Sequence, residues 1–503
     1  MPLSLGRGTE DGADSRRRAG AQLGYVPAID GLRALAIVMV LVYHLRPARL
    51  PSGLLGVDLF FVISGFVVTA SLQRGQQEDL RPLLSRFYAR RIRRILPALL
   101  AMLVCGTILT TLFIPWAWSM FPASSYVALL AAVGASNILL PALDGGYATR
   151  LLDYTPFFHT WSLGVEEQFY LLFPAFYWAT MRSRRRLAPF HAFALLSAIS
   201  FALAVALRES RPALAFYAMP ARYWELGAGT LLCLSVERWL PPLRQAGAAG
   251  RTLPLLAALP LLLAAALQPR PPGWLPGEIA AVASAILLIV SACASPAAAR
   301  LLTLSPVLLT GRSSYSLYLW HVPVFVLFKS TVGIDGIVLG SAAIAVTLGL
   351  GLLSYAFVEQ PFRRLGVEGF RRQAAIFVGA AAALAATVGV ILVFTAGPPP
   401  ATLSTIWRDP RIFSLAQFRQ CGNDGLASRL AGDMDVATGS CDRDGDKPRL
   451  FVAGDSHTAV YASLVLRLSA DLRLNARLLA MLGCPFPPLE RQGAARCASW
   501  YSR

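Results

Sequence analysis

Eleven stretches of 17 to 23 residues in this 503-residue chain are apolar enough to cross a lipid bilayer: 29–45, 55–72, 95–114, 161–181, 190–207, 214–236, 252–268, 278–294, 313–330, 336–358 and 375–396. A spanning helix needs about 20 such residues, within a range of about 17–25. Inside hydrocarbon every backbone amide must be satisfied, so a lipid-exposed stretch of this length can only be a helix. Composition agrees. Charged residues make up 15% of the chain, against about 25% in soluble domains, and mean hydropathy is +0.54. That excludes an ordinary soluble multidomain enzyme, and a disordered scaffold too, which needs low hydrophobicity. The chain is expected to be an α-helical polytopic membrane protein. From about Gly397 to Arg503 no long apolar run remains, and this tail is expected to fold in water.

Loop charge orients the spans. Arg16, Arg17 and Arg18 precede the first apolar segment with no small-residue cleavage site after it, which marks a retained helix with a cytoplasmic N-terminus. The inner loops then hold 20 Arg and Lys and the outer loops 6, a strong positive-inside asymmetry. Counting the twelfth apolar segment, 122–140, as a full span would put every later basic loop outside. It is therefore expected to be embedded or re-entrant. Eleven crossings place the tail outside, where Cys421, Cys441, Cys484 and Cys497 suggest two disulfides in an oxidising compartment. Cys421–Cys441 and Cys484–Cys497 would pair by proximity, but three connectivities are possible. No spacing suggests a metal site. The net charge of +18 lies mostly before residue 397, in the membrane part, and gives no indication of a nucleic-acid partner.

Ionisable residues at membrane depth mark function by default. In the first segment Arg33 and His44 are eleven positions apart, about three turns and about 16 Å along one helix face. Asp58, near the outer end of the second segment, is either an ordinary interfacial residue or a carboxylate that orients the His44 imidazole and raises its basicity. Arg91 and Arg94, at i and i+3 before a membrane entry, form a guanidinium pair suited to phosphate, as in coenzyme A. Positive-inside charge alone explains part of that cluster. Glu166 and Glu167 stand side by side near the outer start of a span, eight residues after His159. Arg222 and Glu225, at i and i+3, can neutralise each other. His321 closes Ser313–Ser314–Tyr315–Ser316–Leu317–Tyr318–Leu319–Trp320–His321.

Asp30-Gly-Leu-Arg33…His44, Gly56-Val-Asp58-Leu-Phe-Phe-Val-Ile-Ser64-Gly65, Arg91-Ile-Arg-Arg94, His159-Thr-Trp161-Ser-Leu-Gly-Val-Glu166-Glu167-Gln-Phe-Tyr170 and Tyr315-Ser-Leu-Tyr-Leu-Trp-His321 together resemble membrane acyltransferase family 3, over roughly residues 25–365. The resemblance implies transfer of an acyl group, usually acetyl, from cytoplasmic acyl-CoA to a hydroxyl of an extracytoplasmic glycan or lipid-linked sugar. It implies a bacterial inner (plasma) membrane and lipid surroundings. Arg33, Arg91 and Arg94 would hold acyl-CoA, and His44, with Asp58, would be base or acyl carrier. Glu166 or Glu167 would position the acceptor or shuttle the proton, Glu167 matching the family's glutamate. Ser64, His159, Trp161, Tyr315 and His321 complete the membrane motifs.

In the tail, Arg449–Gly454 reads as a buried strand running into Gly454-Asp455-Ser456, a common site for a nucleophile. It resembles the first block of the SGNH hydrolase-like family. That family needs a later Asp-x-x-His and oxyanion-hole blocks, and Arg503 lies 47 residues past Ser456, so this α/β domain is expected to be partial and Ser456 doubtful as a nucleophile. The expected organisation is an N-terminal tail at 1–24, a ten-helix acyltransferase domain at 25–365, an eleventh helix and linker at 366–400, and the SGNH-like domain at 401–503. The acceptor stays open among lipopolysaccharide O-antigen, exopolysaccharide and peptidoglycan. The rival classes are a polytopic transporter, and a non-catalytic membrane scaffold with a glycan-binding tail.

Overall fold

A computed structural model describes residues 24–74, 79–114, 123–143, 155–182, 188–269, 275–334, 336–366 and 369–396, with the strands 436–441, 449–454 and 475–481. The chain divides into two compact units, Met1–Pro399 and Pro400–Arg503.

In the first unit a helix lies at every one of the eleven apolar stretches. They are α1 (Pro27–Leu45), α2 (Gly56–Gln73), α3 (Leu80–Phe113), α6 (Trp161–Met181), α7 (Ala188–Ser210), α8 (Met219–Leu234), α9 (Ala248–Ala266), α10 (Leu275–Ala294), α11 (Ser314–Thr331), α12 (Ile337–Ser354) and α13 (Phe370–Ala396). Eight helical segments among the described residues are long and apolar enough to cross a membrane. The three left out, α6, α8 and α11, also carry polar motif residues. Helix α8 is short because the expected 214–236 segment breaks at Ala218, where an extended residue joins Pro212–Tyr217 to α8.

The stretch 122–140 is not one helix. It forms α4 (Ala123–Ala132) and α5 (Ser136–Leu143), joined through Gly134 at φ +68°. At about 1.5 Å per residue neither reaches across a bilayer. Glycine adopts that left-handed backbone at no steric cost, and a Cβ there would also run into the Glu167 carboxylate.

Arg86–Arg94, expected in a loop, instead belongs to α3, a single helix of 34 residues. Arginine is a good helix former, and continuing the helix keeps the backbone paired as it enters the apolar half. Helix α2 packs closely on α8. A Cβ on Gly65 would meet the Leu226 carbonyl, and one on Gly229 the Val62 carbonyl. Small residues let the two backbones touch, as is usual between membrane helices. The largest buried apolar cluster joins α1, α2, α3, α6 and α11 through Ile37, Phe61, Leu99, Phe169 and Leu317.

The second unit has β1 (Val436–Cys441), β2 (Arg449–Gly454) and β3 (Asn475–Met481) in the order β1-β3-β2. β3 is antiparallel to β1 and parallel to β2. The strand expected before Ser456 is thus present. Ser456 itself, Cys421, Cys484 and Cys497 lie outside the described residues, and so does the side chain of Cys441.

Candidate functional site

A cavity opens between α1, α2, α3, α6 and α11. Arg33, Arg91 and Arg94 line it together with Ser64, Glu166, Tyr170, Ser162, Tyr315 and Tyr318. Three guanidinium groups from two helices therefore converge, as the i, i+3 spacing of Arg91 and Arg94 suggested. Each is held. Arg33 donates to Asp30 at 2.7 Å, and Tyr25 also bonds Asp30. Arg91 lies over the Tyr170 ring, 4.5 Å from its centroid. Fixed guanidinium forks of this kind suit phosphate groups.

The two adjacent glutamates part company, because neighbouring residues on a helix point about 100° apart. Glu166 faces the cavity. Its Oε2 accepts from the Tyr170 hydroxyl at 3.1 Å, and Ser64 Oγ sits 2.5 Å from the same hydroxyl. Having one proton, already given to Glu166, Tyr170 accepts from Ser64. Glu167 turns to the glycine junction of α4 and α5. Tyr315, also in the cavity wall, donates to the Ile95 carbonyl at 2.9 Å.

Beyond Tyr318 lie three histidines. The His44 and His321 ring centroids are 5.0 Å apart, and those of His159 and His321 5.1 Å. Each ring has one nitrogen on a backbone carbonyl: His44 Nδ1 on Val40 at 3.0 Å, His159 Nε2 on Leu319 at 3.1 Å, and His321 Nδ1 on Tyr318 at 2.5 Å. A carbonyl only accepts, so each of those nitrogens carries the hydrogen. The opposite nitrogens, His159 Nδ1 and His321 Nε2, have no hydrogen-bond partner. Tyr318 joins the two places. Its hydroxyl donates to the His159 carbonyl at 2.9 Å and takes a hydrogen bond from Ser162 at 2.7 Å, while its ring touches both His159 and His321.

Asp58 has a different place from the one expected. Its Oδ1 accepts from Arg222 at 3.0 Å, not from the His44 imidazole. Arg222 also pairs with Glu225 at 3.1 Å and with Glu278 at 2.6 Å, and Arg208 reaches Glu278 at 3.1 Å. All but Arg208 are at least 95% buried. The cost of burying a guanidinium recruits every carboxylate in reach. Trp161 belongs to this cluster too, packed at a tilt against Phe216 with its ring 6.0 Å from the Arg222 guanidinium. Of the expected site residues, then, Arg33, Arg91, Arg94, Ser64, Glu166 and Tyr315 meet in the cavity. His44, His159 and His321 meet beyond it, and Asp58, Glu167 and Trp161 lie elsewhere.

Sequence reasoning did not single out Tyr318, Ser162, Tyr170 or Glu278. Tyr318 was within reach, since it precedes His321 by three residues and must share its face. Glu278, an acid at the head of an apolar helix, carried the signal that picked out Asp58.

Comparison with known proteins finds O-acetyltransferases. Over 396 residues the chain is 28% identical to the peptidoglycan O-acetyltransferase OatA of Listeria monocytogenes, covering 74% of this chain and 63% of that protein. It is 31% identical over 364 residues to the putative peptidoglycan O-acetyltransferase YrhL of Bacillus subtilis, covering 69% and 56%. It is 28% identical over 369 residues to the O-acetyltransferase OatA of Staphylococcus aureus, covering 69% and 58%. The chain thus spans 56% to 63% of the length of these relatives. No solved structure matches it. The acyltransferase-3 profile, described as an acyltransferase domain, matches residues 26–358, which hold every cavity and histidine residue named above, and the chain belongs to that family.

Proposed function

We propose that this chain is a membrane O-acyltransferase that takes an acetyl group from cytoplasmic acetyl-CoA and delivers it to a hydroxyl of an extracytoplasmic glycan. The observation that carries this reading is the sharing of Tyr318 between the arginine cavity and the histidine trio. A donor rich in phosphate and an imidazole able to take its acyl group thereby occupy adjoining spaces. Arg33, Arg91 and Arg94 bind the phosphates from the Arg-rich end of α1 and α3. The thioester reaches past Tyr318 toward His44, whose outward nitrogen attacks the carbonyl. The positive-inside asymmetry puts the arginine end in the cytoplasm and His44 toward the outer face. The inner membrane is the corresponding location, with the Pro400–Arg503 unit outside as an SGNH-like acceptor or relay domain.

Peptidoglycan is the favoured acceptor, because two relatives carry it in their names. Lipopolysaccharide O-antigen and exopolysaccharide have no such support. The test is to express the full chain, and its His44→Ala variant, in a host whose own peptidoglycan O-acetyltransferase is deleted. Alkali-labile acetate on purified glycan strands is then measured. Acetate with the parent chain and none with a membrane-inserted His44→Ala variant is expected. Equal acetate from both sinks the role of His44, and acetate on another surface glycan moves the acceptor.

A further inference from the structure

The histidine trio contains more chemistry than an acyl carrier needs. His321 is fully buried and stands between His44 and His159, touching both rings. Its Nδ1–H is committed to the Tyr318 carbonyl, and its Nε2 has no hydrogen-bond partner. His159 is 1% exposed and repeats the pattern in mirror image, with Nε2–H on the Leu319 carbonyl and Nδ1 unpartnered. A buried polar atom without a partner is costly. Two such lone pairs in adjoining rings, beside His44, form a place built to receive a proton. His44, by contrast, is only half-buried.

Resting on the acyl-carrier reading of His44, we propose that His321 Nε2 is the base that removes the proton from the acceptor hydroxyl. In the first half-reaction His44 Nε2 bonds to the thioester carbonyl carbon, the C–S bond breaks, and coenzyme A leaves as thiolate. Nδ1–H of His44 stays on the Val40 carbonyl, so the acyl-imidazole is cationic and activated. In the second half-reaction the hydroxyl oxygen bonds to the same carbon and the C–N bond breaks. His44 returns neutral, and the hydroxyl proton passes to His321 Nε2. That proton leaves to water, and the thiolate takes one up, so the totals are an ester and a free thiol. The separation of labour follows from position: the carrier is half-buried, while the base is fixed and desolvated against it.

The experiment uses the purified full chain in detergent with acetyl-CoA, chitotriose as a glycan probe and hydroxylamine as a probe that needs no base. His321→Asn is the variant, because its amide can still donate to the Tyr318 carbonyl while the Nε2 position is lost. Without acceptor, parent and variant are both expected to release a burst of one thiol per protein. With chitotriose the variant's turnover is expected to fall at least 100-fold, the usual scale for removing a general base. Hydroxylamine is expected to discharge both at the same rate. A variant that transfers to chitotriose at the parental rate overturns the role of His321, and so does a variant without the thiol burst. Absence of the burst from the parent chain itself instead removes the acyl-carrier reading of His44.

Discussion

Tyr318 gives its phenolic hydrogen to the backbone carbonyl of His159 at 2.9 Å, and that bond lies where the arginine cavity meets the histidines. Ser162, 2.7 Å from the same hydroxyl, completes the junction. Tyr318→Phe keeps the ring against His159 and His321 and removes only the hydroxyl. The expected structural cost is about 1 kcal/mol, one neutral hydrogen bond. Acetyl transfer is expected to fall about tenfold through loosening of His159, roughly the factor that 1.4 kcal/mol gives in a rate. Ser162→Ala acts through the same hydroxyl, so the double variant is expected to lose little beyond the worse single one. Rates of acetate incorporation in the four proteins decide it; fully additive losses count against a shared junction.

Arg91 stacks on Tyr170 while lining the cavity. Arg91→Lys keeps the charge but loses the planar fork and the stacking. Its expected effect is a KM for acetyl-CoA raised about tenfold with kcat within about twofold, since phosphate binding is uniform between ground and transition states. Steady-state kinetics with acetyl-CoA as the varied substrate measure the split. A fall confined to kcat is the contrary result.

Arg222 holds Asp58, Glu225 and Glu278 together inside the bundle. Arg222→Met leaves three carboxylates buried with only the partly exposed Arg208 on Glu278. Removing one partner of a buried ion pair costs about 3–5 kcal/mol, and little folded protein is expected. Asp58→Asn removes one of three negative charges and keeps an acceptor for Arg222. It is expected to stay folded, with its His44 chemistry intact. Thermal unfolding in detergent, followed by loss of the monodisperse peak, ranks the two. An Asp58→Asn protein that is folded yet inactive restores the pairing with His44.

Glu166 and Glu167 can be told apart in the same way. Glu166→Ala strips the acceptor from Tyr170 at the cavity wall and is expected to lower transfer about tenfold, on the scale of a charged hydrogen bond. Glu166→Gln, whose amide oxygen still accepts, is expected to recover most of that. Glu167→Gln, beside Gly134, is expected to change stability more than KM for acetyl-CoA. Kinetics and unfolding measured on all three variants check the assignment.

The helices were legible stretch by stretch because hydrocarbon leaves the backbone one solution. A run such as 29–45 or 375–396 has to be a helix whatever surrounds it. The motifs were legible for a related reason. A charge or imidazole at membrane depth is expensive, so Arg33, His44, His159 and His321 stood out from apolar neighbours before any contact was known. The bent course of 123–143 through Gly134 and the extension of α3 back to Leu80 were not. Short apolar stretches and arginine-rich ones have more than one solution.

By itself, then, the sequence determined the membrane class, a helix at each of the eleven apolar stretches, the family and the residues worth asking about. Only the tertiary structure decided who meets whom. Asp58 lies near His44 along the chain, yet Arg222, 164 residues away, claims it, because a buried guanidinium gains more from a carboxylate than a neutral imidazole does. His321 is 277 residues from His44, yet it faces that ring at 5.0 Å once α11 packs beside α1. Spacing along one helix fixes which side chains share a face. Which face of which helix lies opposite is set by packing between segments distant in the chain, and there the arginine cavity and the histidine trio were put next to each other.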